Sequence, residues 1–290
     1  MISYNTKDWY SVLFHFHRAD TIRQLFPLLL LVGAYSFGIA FLEVEVLKLS
    51  QNSVLKQISL MHSLLGFAIS MLLVFRTNTA YDRWWEGRKQ WGALTNNSRN
   101  LAIKLAAMLP ADDTVNRNFF RKCIHLYAAV LHNHLHREST RLALDEADHP
   151  ELDYNRHVPN QVAVLLQSRV QQLYKAGSIT GEQLINLNTE LQSFTDICGA
   201  CERIKNTPIP YSYSVFIKKF IFVYTFTLPV GYVFSLGYLV IPVVMFIFYV
   251  LASLELIAEE IEDPFGGDPN DVPTEKITEN IKLHVAEILT

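Results

Sequence analysis

Residues 57–75 read QISLMHSLLGFAISMLLVF and contain no Asp, Glu, Lys or Arg. At about 1.5 Å per residue, a helix of this length is long enough to cross the hydrocarbon core of a bilayer. The buried helices of soluble proteins usually keep one polar face, and this stretch has none. His62 is its only residue that titrates near neutral pH. The stretch therefore predicts a transmembrane helix.

Two further stretches carry the same signal. Residues 24–42 are free of charge, and so are the 35 residues from Phe220 to Leu254. The second stretch is too long for one span and predicts two helices in a tight hairpin, with the turn near Ser235 or Gly237. We therefore expect an all-α protein with four transmembrane helices.

The composition of the 290-residue chain agrees with a membrane protein. Half of the residues are apolar, 18% are charged and the formal net charge is −3. Three cysteines exclude a disulfide scaffold, and the near-neutral charge gives no electrostatic reason to expect nucleic acid as a partner. Membrane lipid is the partner that the composition predicts.

Basic residues flank the predicted spans on one side, which predicts cytoplasmic termini in a multi-pass protein of the cell inner (plasma) membrane. Polar residues between the second and third spans show helical periodicity, interrupted at Pro110, with Asp112 or Asp113 as one helix cap and Thr180 with Gln183 as a capping box. The predicted divisions are an interfacial N-terminal segment at 1–23, two transmembrane helices at 24–76 with the second at 54–76, a helical cytoplasmic region at 77–213, two more transmembrane helices at 214–258, and an acidic cytoplasmic segment at 259–290.

The chain contains no phosphate-binding loop, nucleophile elbow or HExxH motif, so we do not expect an enzyme. Ion-coupled transporters usually carry acidic or basic residues at membrane depth, and here only His62 interrupts the spans. These two observations favour a passive function.

Phe67, Met71 and Phe75 follow one another at intervals of four residues along the second span. Several copies of this helix around an axis would line a narrow apolar pore that controls flow by dewetting. The same spacing also suits ordinary packing between helices. Aromatic edges favour anions and aromatic faces favour cations, so the spacing does not choose the ion.

Cysteines and histidines in the polar region suggest an alternative from another class, a metal- or redox-sensing membrane protein. Cys198 and Cys201 form a single CxxC motif, and His132 and His136 lie one helical turn apart. Either pair could contribute to a zinc site. Packed thiols and a solvated histidine face explain the same residues more simply.

Three motifs give the chain a resemblance to the bestrophin family, in its bacterial branch. They are FRTNTAYDRWWEGRKQW at 75–91, CGACERIKNTPIP at 198–210 and EEIEDPFG at 259–266. The resemblance covers nearly the whole chain. It implies a homopentameric channel for monovalent ions, with the second helix of each subunit lining one pore and Phe67, Met71 and Phe75 as its hydrophobic neck. Eukaryotic necks are more aromatic, so Met71 is a departure.

The resemblance also implies a second, cytoplasmic constriction at about Glu182. Eukaryotic relatives have apolar residues there and conduct chloride, which makes a chloride-type anion channel the expectation by family. Five carboxylates would instead favour cations, so a sodium- or potassium-selective channel remains the alternative. Glu182 could equally be an acid that complements a helix dipole.

In eukaryotic relatives, the segment after the fourth span forms a calcium clasp. The matching positions here are Glu260, Asp263, Asp268 and Asp271, and carboxylate oxygens suit calcium. Pro269 interrupts the run, however, and residues 255–290 contain ten acids and two lysines, as expected of a solvated acidic tail. We expect no required cofactor, with calcium or zinc as options.

Overall fold

The computed structural model describes residues 21–48, 58–136, 142 and 152–290, and all regular structure within these ranges is helical. Most of the predicted N-terminal segment and most of the charged stretch after His136 lie outside the described residues. The helices are α1 (Thr21–Phe41, continued by a π-helical turn at Leu42–Val46), α2 (Ile58–Met108), α3 (Thr114–Leu135), α4 (Val158–Lys175), α5 (Gly181–Asn206), α6 (Tyr211–Leu236), α7 (Val240–Glu262) and α8 (Thr274–Ile288).

The chain divides into two compact units. The first, called the membrane unit below, comprises Ile2–Asp82 and Pro208–Glu262, and the second, called the polar unit, comprises Arg83–Thr207 and Asp263–Thr290. The predicted helical continuation beyond the second span is confirmed, because α2 extends from the membrane unit into the polar unit without a break.

Helices α1, α6 and α7 pack against one another in the membrane unit. Leu25, Leu29 and Val32 place one face of α1 in the apolar core, and Ile69 and Leu73 of α2 join them. Among the residues that the structure describes, three helical segments are long and apolar enough to cross a membrane: Thr21–Val46, Leu60–Met108 and Tyr211–Glu262. The third contains both α6 and α7, which separate at Gly237, where φ is +54° and glycine is favoured.

In the polar unit, α3 packs against α4 and α8, and α4 packs against α5. Ile277, Ile281 and Val285 recur along one face of α8 and are buried. The solvated acidic tail expected after the last span is therefore wrong for this segment. Its acidic residues occupy the other faces, and the apolar residues at helical spacing fix it to the core.

Helix caps explain where the helices of the polar unit begin. The Asp113 carboxylate accepts a hydrogen bond from the Asn116 backbone N–H, and Thr180 and Gln183 form the predicted capping box. Helix α4 begins at Val158. Its cap is His157, whose Nδ1 accepts a hydrogen bond from the Asn160 N–H.

Candidate functional site: an exposed apolar face on α2 and its surroundings

The three residues predicted to form the neck lie on an exposed face of α2. In the single chain, 71% of Phe67, 50% of Met71 and 52% of Phe75 are exposed. Ile69 and Leu73, on the opposite side of the same helix, are essentially inaccessible. The described residues of one chain therefore leave this face of α2 exposed.

Contacts with α6 fix the other side of α2. The ring Nε2 of His62 lies 2.9 Å from the Thr227 hydroxyl, and His62 is buried. A Cβ atom added to Gly66 would lie 2.8 Å from the Tyr224 hydroxyl oxygen, so the Tyr224 side chain of α6 reaches α2 at a point where Gly66 has no side chain. His62, the one ionisable residue of the span, thus contacts α6. The uncharged face formed by Phe67, Met71 and Phe75 is the exposed one.

A buried ionic cluster follows Phe75 directly. The Arg76 guanidinium lies 2.6 Å from a Glu262 carboxylate oxygen and 3.5 Å from Glu255, and only 1% of the Arg76 side chain is exposed. The other Glu262 oxygen accepts a hydrogen bond from the Ile209 backbone N–H. These contacts join α2, at Arg76, to the end of α7 and to the residues just before α6.

In the polar unit, the three sequence motifs at 75–91, 198–210 and 259–266 also contact one another. Arg83 donates hydrogen bonds to the backbone carbonyls of Ile204 and Thr207. The Trp84 indole N–H donates to the Asn270 carbonyl at 2.9 Å. Gly87 lies so close to Pro264 and Phe265 that an added Cβ would sit 3.1–3.2 Å from both rings. The three motifs are therefore structural partners.

Glu182 lies in the first turn of α5 and is fully exposed. Hydrogen bonds from the Thr180 hydroxyl and from its own backbone N–H lower the pKa of its carboxyl group. The carboxylate is therefore charged at neutral pH, in a position that also complements the helix dipole.

The acidic segment forms a tight loop between α7 and α8. One oxygen of the Asp271 carboxylate accepts hydrogen bonds from the backbone N–H groups of Gly267 and Asp268 at 2.5 and 2.8 Å. The other oxygen is buried and has no hydrogen-bond partner among the described residues. Burial raises the pKa of Asp271 to about 7, despite the two hydrogen bonds.

The remaining predicted calcium ligands have local partners. One oxygen of Asp263 accepts a hydrogen bond from the Phe265 N–H, and one oxygen of Glu260, in the membrane unit, accepts one from Gln24. A buried carboxylate oxygen without a partner suits a cation, and Asp271 therefore fits a calcium ligand. Within this loop, the Asp268 backbone N–H donates a hydrogen bond to the Asp271 carboxylate.

The residues proposed for a metal or redox site are buried in ordinary contacts. The rings of His132 and His136 stack 4.0 Å apart, and each has a nitrogen within 3.2 Å of the Thr274 hydroxyl. Burial raises the pKa of both Cys198 and Cys201 to about 12, so both are protonated thiols at neutral pH. A cysteine binds zinc or undergoes redox chemistry as the thiolate, which the surroundings of Cys198 and Cys201 disfavour.

A different cluster was missed by the sequence reasoning. His134 Nε2 and His157 Nε2 each lie 2.6 Å from the same oxygen of Glu202. Burial raises the pKa of Glu202, but the hydrogen bonds from His157 and His134 outweigh it and the net shift is downward. The three residues come from three helices and show no recognisable spacing, so only the folded chain brings them together.

Comparison with known proteins identifies the family. The family described as Bacterial/Fungal Bestrophin protein matches residues 1–287. The chain is a member of this bestrophin family. A voltage-dependent anion channel-forming protein from Nostoc sp. is 32% identical over 97% of this chain and 92% of its own. A protein of the same name from Synechocystis sp. is 30% identical with the same coverage.

The fold of this bestrophin also matches solved structures. A crystal structure of a bacterial bestrophin homologue from Klebsiella pneumoniae superposes with a TM-score of 0.79 at 26% identity, covering 92% of this chain and 100% of that one. The predicted family and the all-helical fold are confirmed. Bestrophin membership, together with relatives named as channel-forming proteins, points to a channel rather than an enzyme.

Proposed function

We propose that the chain forms a homopentameric, passive channel for small monovalent anions of the chloride type. The observation that carries the proposal is the uncovered apolar face of α2, formed by Phe67, Met71 and Phe75. Relatives named voltage-dependent anion channel-forming proteins support the choice of ion.

The packing of α2 favours this face as the pore lining. Helix α2 is held on one side by contacts at His62 and Gly66, and the Arg76 cluster holds it directly after Phe75. A helix held in this way presents its free face to whatever lies beyond the chain, either lipid or other subunits. Five such faces around one axis would form a constriction of two aromatic rings and one thioether per subunit.

The exposed carboxylate of Glu182 favours a second candidate, a channel for sodium or potassium. A ring of five such groups would attract cations. Like charges so close together would also oppose their mutual ionisation, which weakens the effect.

The proposed setting is the inner membrane, with both termini in the cytoplasm and lipid as a partner. The proposal needs no cofactor. Calcium at the loop of Asp268 and Asp271 is a separate option, which the unpartnered Asp271 oxygen supports.

Purified protein in a planar bilayer tests the proposal. Under asymmetric potassium chloride, we expect unitary currents that reverse near the equilibrium potential of chloride. Reversal near the potassium potential would favour the second candidate. Silent protein of pentameric mass in detergent would contradict both.

Glu182→Gln tests the second constriction, and Glu275→Gln is its control because Glu275 is an exposed acid in the first turn of α8. If Glu182 lines the conduction path, only the first substitution moves the reversal potential toward that of chloride. An equal shift, or none, in both variants would place Glu182 outside the path.

A further inference from the structure

Three side chains of the polar unit converge on one point. His134 lies in the last turn of α3, His157 caps α4, and Glu202 belongs to α5. Their ligand atoms all lie within 4.8 Å of one another, and the two imidazole rings are 4.5 Å apart. Among the described residues, His134, His157 and Glu202 are the one group of three or more His, Cys, Asp or Glu side chains placed closely enough to hold a metal ion.

We propose that His134, His157 and Glu202 form a binding site for a divalent transition metal of the zinc class. Two imidazole nitrogens and one carboxylate oxygen are a donor set that zinc uses in proteins, with water in the fourth position. The presence of two nitrogen donors disfavours calcium and magnesium, which prefer oxygen. About a third of each side chain is exposed, so an ion can enter from solvent and keep a water ligand.

The donors need only a small movement to accept the ion. Both histidines lie at hydrogen-bonding distance, 2.6 Å, from Glu202, whereas donors around tetrahedral zinc are separated by about 3.3 Å. A change of this size is within reach of side chains that are partly exposed. The zinc ion takes the place of the protons that now bridge the three groups.

The helix cap at His157 sets the strength of the site. Its Nδ1 accepts the Asn160 N–H, so in the neutral ring the proton sits on Nε2, the atom facing Glu202. Binding zinc through Nε2 moves the ring proton to Nδ1 and gives up that cap. Loss of a cap corresponds to about a fivefold change in an equilibrium constant. Zinc binding and the start of α4 are therefore coupled.

Occupation of the site would tie α3, α4 and α5 together. An ion that binds only the folded chain stabilises it by an amount that grows with the logarithm of the ion concentration relative to the dissociation constant. Zinc should therefore raise the melting temperature of the purified protein. This effect does not depend on conduction, so the site and the channel proposal can fail separately.

The test uses full-length protein purified in detergent without a histidine tag, stripped with a chelator and dialysed against zinc chloride. Elemental analysis of wild-type protein should find about one zinc per chain, and zinc should raise its melting temperature. His157→Asn removes the imidazole but keeps a good cap, because asparagine is favoured at this position. Glu202→Gln removes the charge but keeps the shape.

Both substitutions should weaken zinc binding at least roughly tenfold and abolish the thermal shift. His284→Ala, which removes a histidine on α8, and the double substitution Cys198→Ser/Cys201→Ser should bind zinc like the wild type. Zinc retained in both His157→Asn and Glu202→Gln would overturn the proposal. Loss of zinc in the cysteine variant alone would overturn it as well. The same holds if wild-type protein retains no more zinc than His157→Asn.

Discussion

At the scale of single residues, Arg76 shows how the fold handles a charge at the end of a span. Its guanidinium is buried and is neutralised by Glu255 and Glu262. A buried charge without a partner costs several kcal/mol, so all three side chains depend on one another. The sequence showed only a basic residue after an apolar stretch, because the two acids are supplied by a helix far along the chain.

Asp271 is predicted to make stability depend on pH. Burial raises its pKa from 3.8 to about 7 in the folded chain, so the folded state holds the proton more tightly than the unfolded state. The stabilisation that protonated Asp271 gives to the folded state is at its maximum below about pH 4 and is lost as the pH rises to 7. We therefore expect Asp271→Asn to melt at a higher temperature than the wild type at pH 8 in the absence of calcium.

Asp271→Ala is the matched comparison. Asparagine can still accept the hydrogen bonds from Gly267 and Asp268, whereas alanine leaves both N–H groups without that acceptor. The alanine variant should therefore melt below the asparagine variant at every pH. Calcium that stabilises the wild type but not Asp271→Asn would support the calcium clasp. Equal melting temperatures for wild type and Asp271→Asn at pH 8 would contradict the raised pKa.

His136 is predicted to make the folded state less stable as the pH decreases, which is the opposite of the effect of Asp271. Burial, helped by the nearby charges of His132 and Lys205, lowers its pKa from 6.5 to about 4. The unfolded chain then binds more protons between these values, and stability falls as the pH decreases from 6.5 to 4. The loss amounts to at most about 3 kcal/mol.

Melting temperatures between pH 7 and pH 4.5 measure this effect. His136→Gln cannot take up a proton and should melt with a shallower dependence on pH than the wild type. His284→Gln is the control and should keep the wild-type slope. A wild-type slope in His136→Gln would show that the histidine contributes nothing to acid sensitivity.

At the scale of elements, Gly66 leaves room on α2 for the Tyr224 side chain of α6. A Cβ at this position would meet the Tyr224 hydroxyl at 2.8 Å, well inside contact distance. We expect Gly66→Ala to destabilise the protein by about 1–3 kcal/mol, the usual range for overpacking. Gly38→Ala is the control, because nothing lies within 4 Å of its added Cβ and alanine favours the helix.

A second substitution separates crowding from other effects of alanine. Tyr224→Phe removes the oxygen that the new methyl group meets, and the nearest ring carbon is then 3.6 Å away. The double variant should therefore recover most of the lost melting temperature. If it remains as unstable as Gly66→Ala, the destabilisation does not come from the contact with the Tyr224 hydroxyl.

The elements were predictable where the signal is local. Apolar stretches without charge gave the candidate spans, and the Thr180 capping box fixed the start of α5. Helix α8 was missed because residues 255–290 were judged as one acidic segment, although seven of its ten acids precede α8 and Ile277, Ile281 and Val285 already had helical spacing. The cluster around Glu202 could not be predicted, because its members meet only through the packing of three helices.

At the scale of the whole molecule, the three family motifs are held in place by contacts within each unit. In the membrane unit, Glu262 joins Arg76 to the backbone of Ile209, and in the polar unit Arg83 contacts the end of α5. Residues far apart in sequence thus hold α2 at Arg76 and Arg83, just beyond the exposed face. A pore-lining helix needs such anchors, because that face is left exposed among the described residues.

The central claim is that this exposed face of α2 lines the conduction path. Met71→Cys places a thiol in the middle of the face, and the native cysteines are all buried. Leu65→Cys is the control, because Leu65 is also exposed but lies about 120° around the helix from Met71. Both variants are recorded in planar bilayers before and after a charged thiol reagent, with labelling verified by mass spectrometry. The account predicts that current through Met71→Cys falls sharply and current through Leu65→Cys does not. Full labelling of Met71→Cys with unchanged current would contradict it.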